Sequence, residues 1–184
     1  MYRIDFSRLR FLIIDDNVHM RRLLRTILYG FGTRDILEAE DGAVGLEVFG
    51  NQLPDIVLAD WSMPILNGIE FTRMVRQPEN SRNPFVPVIM VTAYSELHRV
   101  AEARDAGVTE FLVKPISAKA LYQRILAVIV SPRPFIRTTT YFGPDRRRTT
   151  NAGYRGPERR VDPHSDPAPE PDAPATPQAD AAVS

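Results

Sequence analysis

The 184-residue sequence contains no cysteine. Disulfides and thiolate metal sites are therefore excluded, which fits a reducing compartment. Long apolar runs are missing too, and none approaches the ~20 residues needed to cross a bilayer. Residues 1–10 are polar and hold no signal-peptide core. These absences point to the cytoplasm and to no membrane partner. The three histidines, His19, His98 and His164, are scattered and suggest no metal or catalytic cluster. Lysine is almost absent: Lys114 and Lys119 stand alone in an arginine-dominated chain, a hint that one of them serves as a point charge. Net charge is absent as well, with 23 basic and 23 acidic side chains, but the balance is uneven. Residues 131–160 carry 8 basic and 2 acidic side chains, whereas residues 161–184 carry 5 acidic and no basic ones. A tail polarised in this way reads as an interaction segment.

What the chain does contain is alternation. Arg10-Phe11-Leu12-Ile13-Ile14 reads as a buried strand that runs into Asp15-Asp16-Asn17. A helix follows over residues 18–29, with Leu23, Leu24, Ile27 and Leu28 at helical spacing, Asp16 or Asn17 as its cap, and Gly30 and Gly32 at its end. Residues 35–39 form a shorter, more polar strand suited to a sheet edge. Residues 43–49 predict a helix closed by Gly50-Asn51. Ile56-Val57-Leu58-Ala59 is a third strand, flat and apolar enough to be buried on both faces, and it ends in Asp60. A helix over residues 68–76 is predicted to turn Ile69, Phe71, Met74 and Val75 inward. Strands over residues 86–91 and 110–113, and helices over 97–106 and 117–130, complete the pattern. Five successive strand–helix units imply an α/β, doubly wound parallel sheet, with order 2-1-3-4-5 the natural candidate for five strands.

In a parallel sheet the carboxyl ends of all strands lie on one edge, about 4.8 Å apart from neighbour to neighbour. Here those ends supply Asp15 and Asp16, Asp60, Thr92 and Lys114. Singly, each has a plainer reading: a helix cap, a turn residue, a β-branched strand residue, a solvated lysine. Their joint placement is harder to reach by chance. Crowded carboxylates resist full ionisation, and a hard divalent cation such as Mg²⁺ relieves the repulsion. A carboxylate can also act as a nucleophile and accept a phosphoryl group. Asp60 is accordingly assigned as acceptor, Asp15 and Asp16 as metal ligands, and Lys114 and Thr92 as binders of phosphoryl oxygens.

With these residues in view, the sequence resembles the receiver domain of two-component response regulators, the CheY-like family. The matching motifs are Ile13-Ile14-Asp15-Asp16-Asn17, Leu58-Ala59-Asp60-Trp61-Ser62-Met63-Pro64 with Asn67-Gly68, Val91-Thr92-Ala93, Ala106-Gly107 and Phe111-Leu112-Val113-Lys114-Pro115. They cover roughly residues 8–130. The resemblance implies a flavodoxin-like fold and phosphorylation of Asp60 by a partner histidine kinase or phosphotransfer protein. Mg²⁺ would be held by Asp15 or Asp16, by Asp60 and by the backbone carbonyl of Ser62. It further implies a cis peptide between Lys114 and Pro115, and Thr92 and Phe111 as switch residues that remodel the face of the fourth helix, fifth strand and fifth helix. Family members often carry tyrosine at the Phe111 position. Phenylalanine has no hydroxyl to donate, so burial alone must bias its rotamer. Ser62 and Tyr94 fall where the family tunes loss of the phosphoryl group, and Tyr94 is expected to shield it and slow autodephosphorylation.

After Val130 the composition changes, and ten of the sixteen prolines lie beyond it. Residues 131–184 read as a non-globular tail, with residues 163–184, rich in Pro, Ala and Asp, expected to be disordered. Residues 131–162 contain a repeat. Tyr141-Phe142-Gly143-Pro144-Asp145-Arg146-Arg147 is echoed thirteen residues on by Tyr154-Arg155-Gly156-Pro157-Glu158-Arg159-Arg160. The repeat fits a segment that docks on the receiver or a partner through Phe135, Tyr141, Phe142 and Tyr154, a nucleic-acid contact, or a solvated basic linker.

The expectation is a single-domain response regulator, monomeric or weakly dimeric, that signals through protein contacts and is not an enzyme. Nucleic acid is not the expected partner, although a receiver with a DNA-binding tail is one alternative. Another is an aspartyl-phosphate hydrolase of the haloacid dehalogenase type, which needs an acid two residues after the nucleophile, where this chain has Ser62. A receiver that never takes phosphate is opposed by the complete set of five strand-end residues.

Overall fold

The computed structural model describes residues 4–79, 81–93 and 97–146, with the side chains of 97–99 excepted. Five strands, β1 (Arg10–Ile14), β2 (Asp35–Ala39), β3 (Ile56–Asp60), β4 (Val88–Thr92) and β5 (Glu110–Val113), form one parallel sheet in the order β2-β1-β3-β4-β5. Five helices alternate with them: α1 (Val18–Phe31), α2 (Gly42–Gln52), α3 (Gly68–Val75), α4 (Leu97–Ala106) and α5 (Ala118–Val130). The doubly wound order read from the sequence is thus the observed one.

The period of two along a strand sorts the core into layers. Phe11 and Ile13 of β1, Leu58 of β3 and Ile89 and Val91 of β4 meet Leu24 and Leu28 of α1 and Leu121 and Ile125 of α5. Their neighbours Leu12, Ile14, Val57, Ala59 and Val88 turn the other way, onto Phe49 of α2 and Phe71 and Val75 of α3. A third cluster joins Trp61, Ile69 and Met90 to Ala103 and Ala106 of α4. Every residue of β3 and β4 is buried, which explains their uninterrupted apolar sequence. Removing a fully buried ring such as Phe11 would cost about 3–5 kcal/mol through lost transfer energy and the cavity left behind.

Local chemistry sets the helix starts. Asn17 rather than Asp16 caps α1, accepting from the amides of His19 and Met20. Asp41 caps α2 and Ser117 caps α5. Asn67 and Glu70 form a reciprocal capping box at α3. α2 passes through Gly50 and Asn51 and stops at Leu53, so the expected closure at the glycine is corrected by one further turn. Leu23 and Met74, expected inside, are about 42% and 44% exposed, because each lies just off the stripe that faces the sheet.

The edge strand β2 carries charge on its flank. Glu38 lies 3.3 Å from Arg21 and 2.8 Å from Arg25, and Asp35 lies 2.6 Å from Arg10 of the neighbouring strand.

The first part of the tail is structured, although its sequence offers no apolar periodicity. Strands β6 (Phe135–Arg137) and β7 (Phe142–Pro144) pair antiparallel, Phe135 opposite Pro144. Three rings hold this hairpin to the loop before β4: Phe85 lies 5.2 Å from Phe135 and 5.3 Å from Phe142, and those two are 5.6 Å apart. The compact unit therefore extends past Val130 to include the hairpin. The second copy of the repeat, residues 154–160, and residues 163–184 lie outside the described residues, as does Tyr94.

Candidate functional site

The parallel pairing of β1 with β3, β3 with β4 and β4 with β5 brings the strand ends into one row. At their carboxyl edge Asp15, Asp16 and Asp60 converge, each offering a carboxylate oxygen within 4.8 Å of the others. Asp60 is 7% exposed and Asp15 is 1% exposed, while Asp16 faces solvent. Lys114, at the end of β5, reaches across β4 to place its ammonium 2.7 Å from Asp60 Oδ1 and 3.5 Å from Asp15 Oδ2. The amide of Ser62 donates to Asp60 Oδ2 at 3.1 Å. Both oxygens of Asp60 therefore face a donor, one of them charged.

Asp15 is held from below. Its Oδ1 accepts from the Asn17 amide at 2.8 Å, and its carbonyl accepts from Arg21 at 2.7 Å. Its Oδ2 is buried without a hydrogen-bond partner. Burial, followed by the nearby charge of Asp60, raises the Asp15 carboxyl above the usual carboxylate value, against the pull of the Asn17 amide and Lys114. Burial also works against the Lys114 ammonium, but its hydrogen bond to Asp60 and the charges of Asp60 and Asp15 outweigh it and raise the lysine. A buried carboxylate oxygen with no hydrogen bond and only the shared Lys114 ammonium 3.5 Å away, beside two more carboxylates, is what a hard cation such as Mg²⁺ would satisfy, so the residues present fit the metal.

Thr92 is buried at the end of β4, and its carbonyl accepts from the Lys114 amide at 2.8 Å, which ties the two strand ends together. The Lys114–Pro115 peptide is cis. Phe111 is partly buried against the cluster of Trp61, Ile69 and Met90. Ser62 sits two residues beyond the acceptor, in the loop that leads to Asn67-Gly68.

Two residues have a role here that the sequence does not reveal. Arg21 looks like one more solvated helix arginine, yet it clamps the Asp15 carbonyl. Gly68 looks like a turn residue, yet a Cβ there would collide with the Asp60 carbonyl and come 2.9 Å from Met90 Sδ. The start of α3 thus lies directly against the acceptor strand.

The family model of the response regulator receiver domain matches residues 11–126. The chain belongs to this family. The receiver is 36% identical to the chemotaxis protein CheY of Pseudomonas aeruginosa over 117 residues, which covers 64% of this chain and 93% of that protein. It is 33% identical to CheY-3 of Vibrio cholerae over 119 residues, 65% of this chain and 90% of that one. Among solved structures, CheY4 of Vibrio cholerae superposes with a TM-score of 0.61 at 26% identity, over 66% of this chain and 98% of its own. The CheX–CheY complex of Borrelia burgdorferi with beryllofluoride and magnesium gives 0.60 at 28% identity, over 67% and 90%. The receiver is therefore a CheY-like signalling switch of the two-component type. None of its described helices is long and apolar enough to cross a membrane.

Proposed function

We propose that Asp60 accepts a phosphoryl group from a sensor histidine kinase or a phosphotransfer protein, and that the phosphorylated receiver signals through protein contacts in the cytoplasm. The observation that carries this reading is the constellation of Asp60, Lys114 and the two acids of the β1 end. In the transfer, an Asp60 carboxylate oxygen bonds to phosphorus as the bond from phosphorus to the donor's imidazole nitrogen breaks. The electron pair stays on that nitrogen. Lys114, already on Asp60 Oδ1, follows the added charge to a phosphoryl oxygen, and the Thr92 hydroxyl bonds another. Asp15, Asp16, Asp60 and the Ser62 carbonyl would hold Mg²⁺, which supplies charge neutralisation for the transferred group. The magnesium and beryllofluoride of the Borrelia relative support this chemistry.

Movement of Thr92 toward the phosphoryl group frees space for Phe111 to turn inward, and the surface of α4, β5 and α5 changes with it. Tyr94 shields the phosphoryl group and slows its loss. A protein rather than a nucleic-acid role for the hairpin is supported by its arginines among the described residues, which are engaged with carboxylates: Arg133 with Glu110 at 2.8 Å, Arg137 with Glu79 at 3.2 Å and Arg146 with Asp105 at 3.3 Å. The test is incubation with Mg²⁺ and acetyl phosphate, read by intact mass. Wild type should gain one phosphoryl group and Asp60→Asn none. Equal labelling of the two, or labelling of neither, rejects the assignment.

A further inference from the structure

The repeated tail motif has a receptor in the fold. Its first copy is seated at the amino end of β4 and β5, against the last turns of α3 and α4. Tyr141 is 9% exposed, and its hydroxyl donates to the Pro144 carbonyl at 2.8 Å. The Arg146 guanidinium lies 3.9 Å over the Tyr141 ring and 3.3 Å from Asp105 of α4. At Gly143 a Cβ would come 2.6 Å from the Tyr141 hydroxyl and 3.1 Å from the Gly107 Cα, so only glycine fits between the two. The Asp145 amide donates to the Pro134 carbonyl at 2.8 Å and closes the seat. Tyrosine, glycine and arginine thus each have a distinct task, and position 144 supplies a carbonyl.

The second copy keeps every one of those residues: Tyr154, Gly156, Pro157 and Arg159, with Glu158 in place of Asp145. It does not keep the anchors that face the aromatic cluster. Arg155 stands where the first copy has Phe142, and Arg148 stands thirteen residues after Phe135. What the socket reads is repeated, and what packs on Phe85 is not.

We propose that this socket, formed by Arg76, Asp105, Gly107 and the Arg104 carbonyl 3.5 Å from the Tyr141 hydroxyl, is a peptide-binding site for which one chain carries two ligands. Residues 141–146 occupy it, and residues 154–160 of the same chain compete for the same seat. A short tether gives the second ligand an effective concentration of order millimolar, which favours exchange within one chain over capture of another copy at ordinary concentrations. Exchange draws Phe135 and Phe142 away from Phe85. The two seatings therefore present different surfaces next to α4, a closed ring cluster in one and open aromatics in the other.

The test uses the full chain with Gly143→Val, Gly156→Val and both together, read by the amide resonances of Asp105 and Gly107 and by Tm. Unchanged β1 and β3 resonances confirm that the sheet is folded in each variant. Gly156→Val should leave the socket resonances and Tm as in wild type. Gly143→Val should move the Phe135 and Phe142 resonances while Gly107 stays near its wild-type position, because Tyr154-Arg155-Gly156-Pro157 has taken the seat. The double variant should displace Gly107 and lower Tm a second time. The proposal is overturned if Gly143→Val alone sends Gly107 where the double variant does, or if it holds Gly107 only at high protein concentration, since the ligand is then a second copy. The pair Tyr141→Ala and Tyr154→Ala repeats the comparison without adding bulk. If neither double variant displaces Gly107, the socket does not read the motif and the proposal fails.

Discussion

At the carboxyl end of β1 and β3, two buried carboxylates share one lysine, and Asp15 Oδ2 has no hydrogen-bond partner. At the amino end of β4 and β5, Arg76 is buried as a cation with no carboxylate beside it among the described residues. It donates instead to the carbonyls of Gly107 at 3.0 Å and Pro84 at 2.8 Å, and it lies 5.1 Å from the Phe135 ring. Burial lowers its guanidinium to about 9, still well above neutral pH, so it stays charged. One end of the sheet keeps unused valence for something that arrives. At the other, Arg76 spends its donors on two backbone carbonyls and the Thr109 hydroxyl, and the hairpin covers it. Burial that disfavours the Asp15 carboxylate suits a site that awaits a cation, and closure at the second end suits a seat for peptide.

Substitutions at the two ends should separate these roles. The largest effect is expected from Asp60→Asn, which should abolish labelling by acetyl phosphate while the amide resonances of the hairpin stay in place; loss of the hairpin signals in that variant would show the two ends to be coupled. Next, Arg76→Ala should destabilise the fold by about 3 kcal/mol, because it strands two buried carbonyls and removes the support under Phe135. Urea unfolding measures this, and a change below about 1 kcal/mol would mean that water replaces the guanidinium at little cost. Smaller, and opposite in sign, is Asp15→Asn. The Asp15 carboxyl is raised, so the native state favours its protonated form and its ionisation costs stability as pH climbs above the unfolded value of about 3.9. A neutral amide should therefore raise Tm at neutral pH without Mg²⁺ and abolish the increase that Mg²⁺ gives the wild type. The smallest effect concerns Tyr141, whose phenol is raised by burial against the pull of Arg146 and Arg76. Its neutral form stabilises the seat below the unfolded value of about 10, and that contribution is lost as pH rises through the higher native value. Tyr141→Phe should weaken the seat by about 1 kcal/mol at neutral pH and remove this alkaline step in the hairpin resonances.

The sheet and the row of strand-end residues were legible because they depend on local, periodic signals. Buried strands read as unbroken apolar runs, and a residue at the end of such a run has only one edge on which to lie. The α2 terminus was not legible from its glycine, since the carbonyls of Gly50 and Gln52 accept from Arg82 and Arg10, which lie far away in sequence. The hairpin was hidden for a different reason. Its strands are three residues each and owe their order to Phe85, Arg76 and Gly107, which lie far away in sequence. Arg21 and Arg76 look like any other arginine in the chain, and only the tertiary fold tells which are engaged with backbone carbonyls. The repeat, by contrast, was visible as a pattern and lacked only the surface that gives it meaning.

The charges along β2 bear on how the protein behaves among many copies of itself. An outer strand leaves one row of amides and carbonyls without a partner strand, a template on which another chain can add and begin an aggregate. Glu38, held between Arg21 and Arg25, and Asp35, held by Arg10, make that row a poor match for an apolar newcomer. The receiver is thereby protected from sticking along this edge of its sheet.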